Sequence, residues 1–324
     1  MIRATSAVPQ RAFDIREHGL FSMLRAPVES SEQRRALLPA IALFGVALVG
    51  FMAISGAHLG ADWRMLGPLP GAAVFAVCCT TLGARALFDW RRRRGLALLA
   101  LMLASYLLGN LLSGVLHQWI DPRALLADRV APGFIASRLL YAFAVALPML
   151  LVWRWLLRGN DCHLGFGDWR ATGRLGRNDR QRSWGRLLLL FVLLVALPLF
   201  LLMQAMVDFG PLRSGRLPAL ALPLLFMALS NAFAEELLFR GLLQGAATPV
   251  LGIARGLWAV GILFGLHHLG ASFDPIASLP GALAIGVGSV LFGKSVVETR
   301  GLGWAVCAHA AVNVALFSAY YVKA

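Results

Sequence analysis

Three small groups of polar residues interrupt apolar runs in the last third of the chain. Glu235, Glu236 and Arg240 lie in SNAFAEELLFRG, His267 and His268 in ILFGLHHLG, and His309 and Asn313 in CAHAAVN. Carboxylates and imidazoles are the side chains that take and give protons near neutrality. An asparagine amide can donate to an oxyanion as it forms. A charge near the centre of a bilayer costs on the order of a few kcal/mol, and SNAFAEELLFRG carries three.

The spacing divides the labour. On a helix Glu236 and Arg240 are four apart, share a face and form an ion pair. Glu235 lies about 100° around from Glu236, so it faces something else. His267 and His268 diverge by the same angle, and only one of them can face Glu235 directly. His309 and Asn313 share a face. Each group also has an ordinary reading. EExxxR can end a helix at the interface with Arg240 snorkelling to water. A lone histidine is often a satisfied core residue, and a His–Asn pair can join two helices by hydrogen bonds. Intramembrane ionisable groups, however, normally face a bundle interior or a watery cavity, and three successive apolar segments carrying them implies convergence.

The elements that hold these groups are read from composition. The chain has 324 residues, 59% hydrophobic and 14% charged, with a mean hydropathy of +0.71. Ordinary soluble domains are about 45–50% apolar and about 25% charged, so this is a membrane protein. The net charge of +14 is carried mostly by arginine beside apolar runs, as the positive-inside rule produces, and does not mark a nucleic-acid binder. The four cysteines form no CxxC pair, so neither a disulfide framework nor a zinc knuckle is expected.

A span needs about 20 mainly apolar residues. Nine runs qualify: 37–57, 70–89, 95–116, 133–156, 187–207, 218–244, 254–270, 276–293 and 302–322. The last three are short or close together and can include a broken helix. The expected fold is all-α, a polytopic transmembrane helix bundle of eight or nine spans with its catalytic cavity in the C-terminal bundle. Four basic stretches lie between spans: the arm with Arg11, Arg16, Arg25, Arg34 and Arg35, the run Arg91–Arg94, the linker 158–186, and a connection near Lys294 and Arg300. Nine spans put all four on one side, with a cytoplasmic N-terminus in a bacterial inner membrane. The chain then divides into an arginine-bearing arm (1–36), a four-span extension (37–157), a basic cytoplasmic linker (158–186) and a five-span module (187–324) with the unusual chemistry.

The ordered set EExxxR (235–240), FxxxH (Phe264 to His268) and HxxxN (His309 to Asn313) resembles the three motifs of the CPBP family, the CAAX-processing and bacteriocin-processing intramembrane proteases also called Abi. The resemblance covers about 187–324. It implies a glutamate-dependent intramembrane endopeptidase with Glu235, His268, His309 and Asn313 as site residues and Glu236 with Arg240 as the structural pair. His267 is a secondary site residue at most. The partners implied are the lipid bilayer and a membrane-associated protein or peptide. Metal-free catalysis is favoured because HExxH is missing, although Glu235, His268 and His309 would form a zinc set of ordinary composition. Two other functions share these features: a non-catalytic scaffold or immunity-type protein of the same fold, and an ion- or proton-coupled transporter.

Overall fold

The computed structural model of the protein describes residues 31–56, 81, 94–120, 130–156, 163–175, 180–209, 213, 215, 217–268 and 279–320. Among the described residues there are eight helices. Three precede the linker: α1 (Ser31–Gly56), α2 (Arg94–Trp119) and α3 (Val130–Leu156). Next comes α4, which starts as Trp184–Phe191, passes through a π-helical segment, Val192–Ala196, and continues as Leu197–Ala205. Similarly, α5 runs from Leu217–Glu236 through a π-helical segment, Leu237–Leu243, to Gln244–Leu251. The last three are α6 (Ile253–His267), α7 (Leu279–Thr299) and α8 (Gly303–Tyr320). The expected span at 70–89 falls outside the described residues.

Five helical stretches, 94–116, 132–154, 184–205, 221–251 and 279–299, are long and apolar enough to cross a bilayer, and the chain is an integral membrane protein. Their apolar residues run on without period because lipid takes one face and protein the other. The outward row Leu189, Leu193, Leu194, Leu197 and Leu201 of α4 is exposed, as a lipid-facing surface would be. In contrast, α6 has 15 residues. At about 1.5 Å per residue it falls short of the roughly 30 Å hydrocarbon core. His268 caps its C-terminus.

The helices before and after the linker share one core. Leu99, Leu103 and Tyr106 of α2 and Met149 of α3 are buried with Leu238, Phe239 and Leu242 of the π segment and with Phe264 of α6. The chain turns from α5 into α6 at Gly252, whose φ of 78° and ψ of 156° belong to a region essentially limited to glycine. Glycines also set the contact of α6 with α7. A Cβ on Gly265 would stand 2.8 Å from the Gly286 backbone, so no larger residue fits and the two helices touch backbone to backbone.

Two sequence expectations change at the linker end. The described linker residues 163–175 and 180–186 fold against the α7–α8 turn. Asp168 N donates to Thr299 O at 2.8 Å, Leu302 N to Gly165 O at 2.7 Å and Trp304 Nε1 to Trp184 O at 2.7 Å. They include a two-residue antiparallel pair, β1 (Thr172–Gly173) with β2 (Arg182–Ser183), the one strand pairing among the described residues. Lys294, expected in a basic connection, lies inside α7 and is fully buried. It donates to Glu298 one turn on at 2.5 Å, and Glu298 accepts from Trp184 Nε1 at 2.8 Å. The apolar run stops at the first charge, but an i,i+4 pair lets the helix carry both charges inward.

Candidate active site

The polar groups of three helices meet where the π segment of α5 begins. Glu235 and Glu236 end the α-helical part of α5, and π turns often occur at functional sites. Glu236 is fully buried. Its Oε1 lies 3.1 Å from Arg240 Nη1 and 2.8 Å from His309 Nδ1. The pairing of Glu236 with Arg240 is thus present, but it is half of the arrangement, because the same carboxylate also holds His309 of α8. That link joins residues 73 apart and leaves no trace in local spacing.

Glu235 points elsewhere. It is 5% exposed, and its Oε2 is buried without a hydrogen-bond partner. Nε2 of His268 stands 3.8 Å from that oxygen and Nε2 of His309 stands 3.6 Å from it. Both distances exceed a direct hydrogen bond, and polar groups so spaced are commonly bridged by water. The outer nitrogens set the tautomers. His268 Nδ1 lies 2.8 Å from Phe264 O, and a carbonyl only accepts, so Nδ1 carries the proton. His309 Nδ1 donates in the same way to the Glu236 carboxylate. In their neutral forms both imidazoles therefore present an unprotonated Nε2 toward Glu235. Three acceptors facing one another suit a water molecule, which brings two hydrogens to donate.

Phe264 explains the first letter of FxxxH. Its carbonyl fixes His268, and its ring lies 4.0 Å from the Arg240 guanidinium carbon, a cation–π contact. The ring also meets those of His268 and His309 edge-on at 4.7 Å and 5.9 Å between centroids. Asn313 is buried and donates from Nδ2 to Ala228 O of α5 at 3.3 Å. This bond ties α8 to α5 and leaves the second amide hydrogen uncommitted.

His267 turns away from Glu235, as the divergence of adjacent helical residues requires. Its Nδ1 is 2.8 Å from the hydroxyl of Tyr106 on α2, and Phe239 and Tyr141 flank its ring at 5.4 Å and 6.4 Å. Sequence reasoning missed the contribution of the first half of the chain. Tyr106 of α2 bonds to His267, Tyr141 of α3 lies beside the His267 ring, and Arg138 of α3 places a positive charge near Glu235. A signal was present for one of them, since Arg138 is an arginine well inside an apolar span.

The zinc set fares differently. No group of three or more His, Cys, Asp or Glu among the described residues is disposed to hold a metal ion. As they stand, Glu235, His268 and His309 do not fit one, and no chemical step below passes through a metal.

No curated protein and no solved structure matches the chain. A family model does: residues 217–315, which hold all seven polar residues of the three groups, match the model described as type II CAAX prenyl endopeptidase Rce1-like, so this part of the chain is similar to the family that the motifs resembled.

Proposed function

We propose that the protein is an intramembrane endopeptidase that hydrolyses a peptide bond of a membrane-associated protein or peptide with a water activated by Glu235. The observation that carries this reading is the partnerless Oε2 of Glu235 faced by two imidazole nitrogens at 3.6 Å and 3.8 Å. A water seated beside the three donates one hydrogen to Glu235 and the other to a histidine. As its oxygen bonds to the substrate carbonyl carbon, Glu235 takes the first proton. The free amide hydrogen of Asn313 stabilises the oxyanion. The C–N bond then breaks and the proton passes from Glu235 to the leaving nitrogen, leaving an acid and an amine.

The test is cleavage by the purified full-length protein in proteoliposomes, with and without a strong chelator. Processing of a membrane-anchored peptide pool at equal rates in both is expected. Loss of turnover on chelation, restored by zinc, would transfer Glu235, His268 and His309 to a metal-ligand role. No processing under any condition, with intact folding, would favour a scaffold, and proton flux across the vesicle would favour a transporter.

The two adjacent histidines separate the site from its surroundings. His268→Ala is expected to lower turnover by a factor on the order of 10²–10⁴, the scale of losing an acid–base group. His267→Ala keeps most activity, because its imidazole is spent on Tyr106. Purified variants of matched thermal stability would be compared on one peptide. An inactive His267→Ala beside an active His268→Ala overturns the assignment.

The cytoplasmic placement of the N-terminus and linker rests on loop charge. The hydrogen bonds between 165–168 and the α7–α8 turn add that these two connections lie at one end of the bundle. Reporters inserted at Gly176 and fused after Ala324 are expected on opposite sides. Finding both on one side would break the five-helix count of the second half.

A further inference from the structure

Away from the active site, the folded linker gathers arginines at one end of the bundle. Residues 163–186 hold six arginines and two aspartates. Arg170, Arg180, Arg182 and Arg186 are exposed, as is Arg300 in the α7–α8 turn. Trp184 N donates to Ala171 O and Gly185 N to Trp169 O, each at 3.0 Å, so Arg170 lies across from Arg186 in the chain pairing. The bond from Asp168 N to Thr299 O brings Arg300 to the same end, and Arg182 pairs with Gly173. The neighbouring acids are engaged elsewhere. Glu298 is buried and accepts from Lys294 and Trp184, while Asp168 Oδ1 accepts from Arg170 N within its own turn at 2.9 Å.

The seat of the linker fixes the depth of these charges. A Cβ on Gly173 would collide with the Glu298 carboxylate, and one on Gly301 would collide with the Gly167 backbone. The linker backbone is thus wedged onto the ends of α4, α7 and α8. Ser183 N-caps α4, and the stretch 184–205 that follows is long and apolar enough to cross a bilayer. Leu189 of its exposed row lies three residues beyond Arg186, about 4.5 Å along the axis. An arginine so placed lays its stem along the apolar edge and carries its head into the polar layer. Phe166 is 68% exposed and stacks on Trp169, with centroids 4.9 Å apart. Aromatic rings concentrate at the membrane–water boundary.

A guanidinium fork matches a phosphate through paired hydrogen bonds, and basic residues beside a span attract anionic lipid. We infer that this arginine-bearing face binds the phosphate headgroups of anionic phospholipids in the leaflet around the start of α4. Phe166 enters the boundary beside them. The depth of Arg186 and the exposed ring favour lipid over an acidic protein, which would meet the arginines from the water side. Such binding needs no catalysis and stands whether or not the protein is a peptidase.

The test is displacement of a fluorescent phosphatidylglycerol from the purified full-length protein in non-ionic detergent. The competitors are dioctanoyl phosphatidylglycerol, dioctanoyl phosphatidylcholine, inorganic phosphate and a short polyglutamate peptide. Phosphatidylglycerol is expected to displace the probe at least about tenfold more effectively than each of the others. One basic residue near an anionic lipid surface contributes roughly a fivefold gain in affinity. Arg182→Gln alone should therefore weaken phosphatidylglycerol binding about fivefold. Arg170→Gln with Arg182→Gln and Arg186→Gln should weaken it on the order of a hundredfold, with phosphatidylcholine binding and unfolding temperature unchanged. Arg91→Gln with Arg92→Gln and Arg93→Gln removes the same charge from another loop and should keep the preference. Equal displacement by both lipids, a preference that survives the linker variants, or an equal loss in the Arg91–Arg93 variant overturns the assignment. Displacement by phosphate or polyglutamate as effective as by phosphatidylglycerol makes the face a site for soluble anions or acidic protein and likewise overturns it.

Discussion

Glu235→Gln is expected to abolish hydrolysis, lowering turnover by a factor on the order of 10²–10⁴ or more, while the folded protein becomes no less stable. Both halves follow from the surroundings of one oxygen. Oε2 of Glu235 has no hydrogen-bond partner, so an amide in its place breaks no bond that holds the bundle together. Burying a carboxylate costs more than burying an amide, and thermal unfolding in detergent should occur at the same temperature or higher. The amide nitrogen can even donate to an imidazole Nε2 that now faces the carboxylate. What it cannot do is accept a proton from water. A variant that cleaves at the wild-type rate would remove Glu235 from the reaction. A variant that is inactive because it unfolds would show that the carboxylate has a structural role that the geometry does not reveal.

What was legible in the chain, and what was not, follows from the range of each interaction. The pairing of Glu236 with Arg240 and the divergence of His267 from His268 are properties of one helix, and spacing alone discloses them. The run of apolar residues discloses helices that suit a bilayer, because lipid and protein core ask for the same side chains. Lys294 was misplaced for the opposite reason. A hydropathy reading ends a span at the first charge, whereas the helix continues to Thr299 with Lys294 and Glu298 neutralising each other. The lysine–glutamate spacing of four was the sign that it would. Tyr106 reaches His267 across 161 residues, and nothing in the local pattern of α2 distinguishes a tyrosine that touches the site from one that fills a core. The bond from Glu236 to His309 belongs to the same class, and it changes what the second glutamate is for.

Glu236→Gln is expected to damage stability and chemistry together, and a second substitution separates the two. The carboxylate is fully buried between Arg240 at 3.1 Å and His309 at 2.8 Å. Removing its charge strands the arginine in a low-dielectric interior, and breaking a buried pair from one side costs about 3–5 kcal/mol. The loss is tempered by the contact of Arg240 with the Phe264 ring at 4.0 Å. The same change frees His309. A glutamine can accept from Nδ1 through its oxygen, but it can equally turn its amide and donate, which would place the imidazole proton on Nε2, the nitrogen that faces Glu235. Turnover should fall on the order of tenfold to a hundredfold, as when an outer partner that orients a site histidine is lost. Replacing both partners, Glu236→Gln with Arg240→Met, removes the stranded charge and should recover much of the stability, since apolar replacements of buried pairs are often neutral or better. Activity should stay low, because His309 still lacks its carboxylate. Unfolding temperature and turnover measured on the wild type, the single variant and the double variant decide the matter. If the double variant regains full activity, Glu236 serves Arg240 alone and the orientation of His309 comes from elsewhere. If Glu236→Gln is as stable as the wild type, the buried ion pair contributes nothing to the fold.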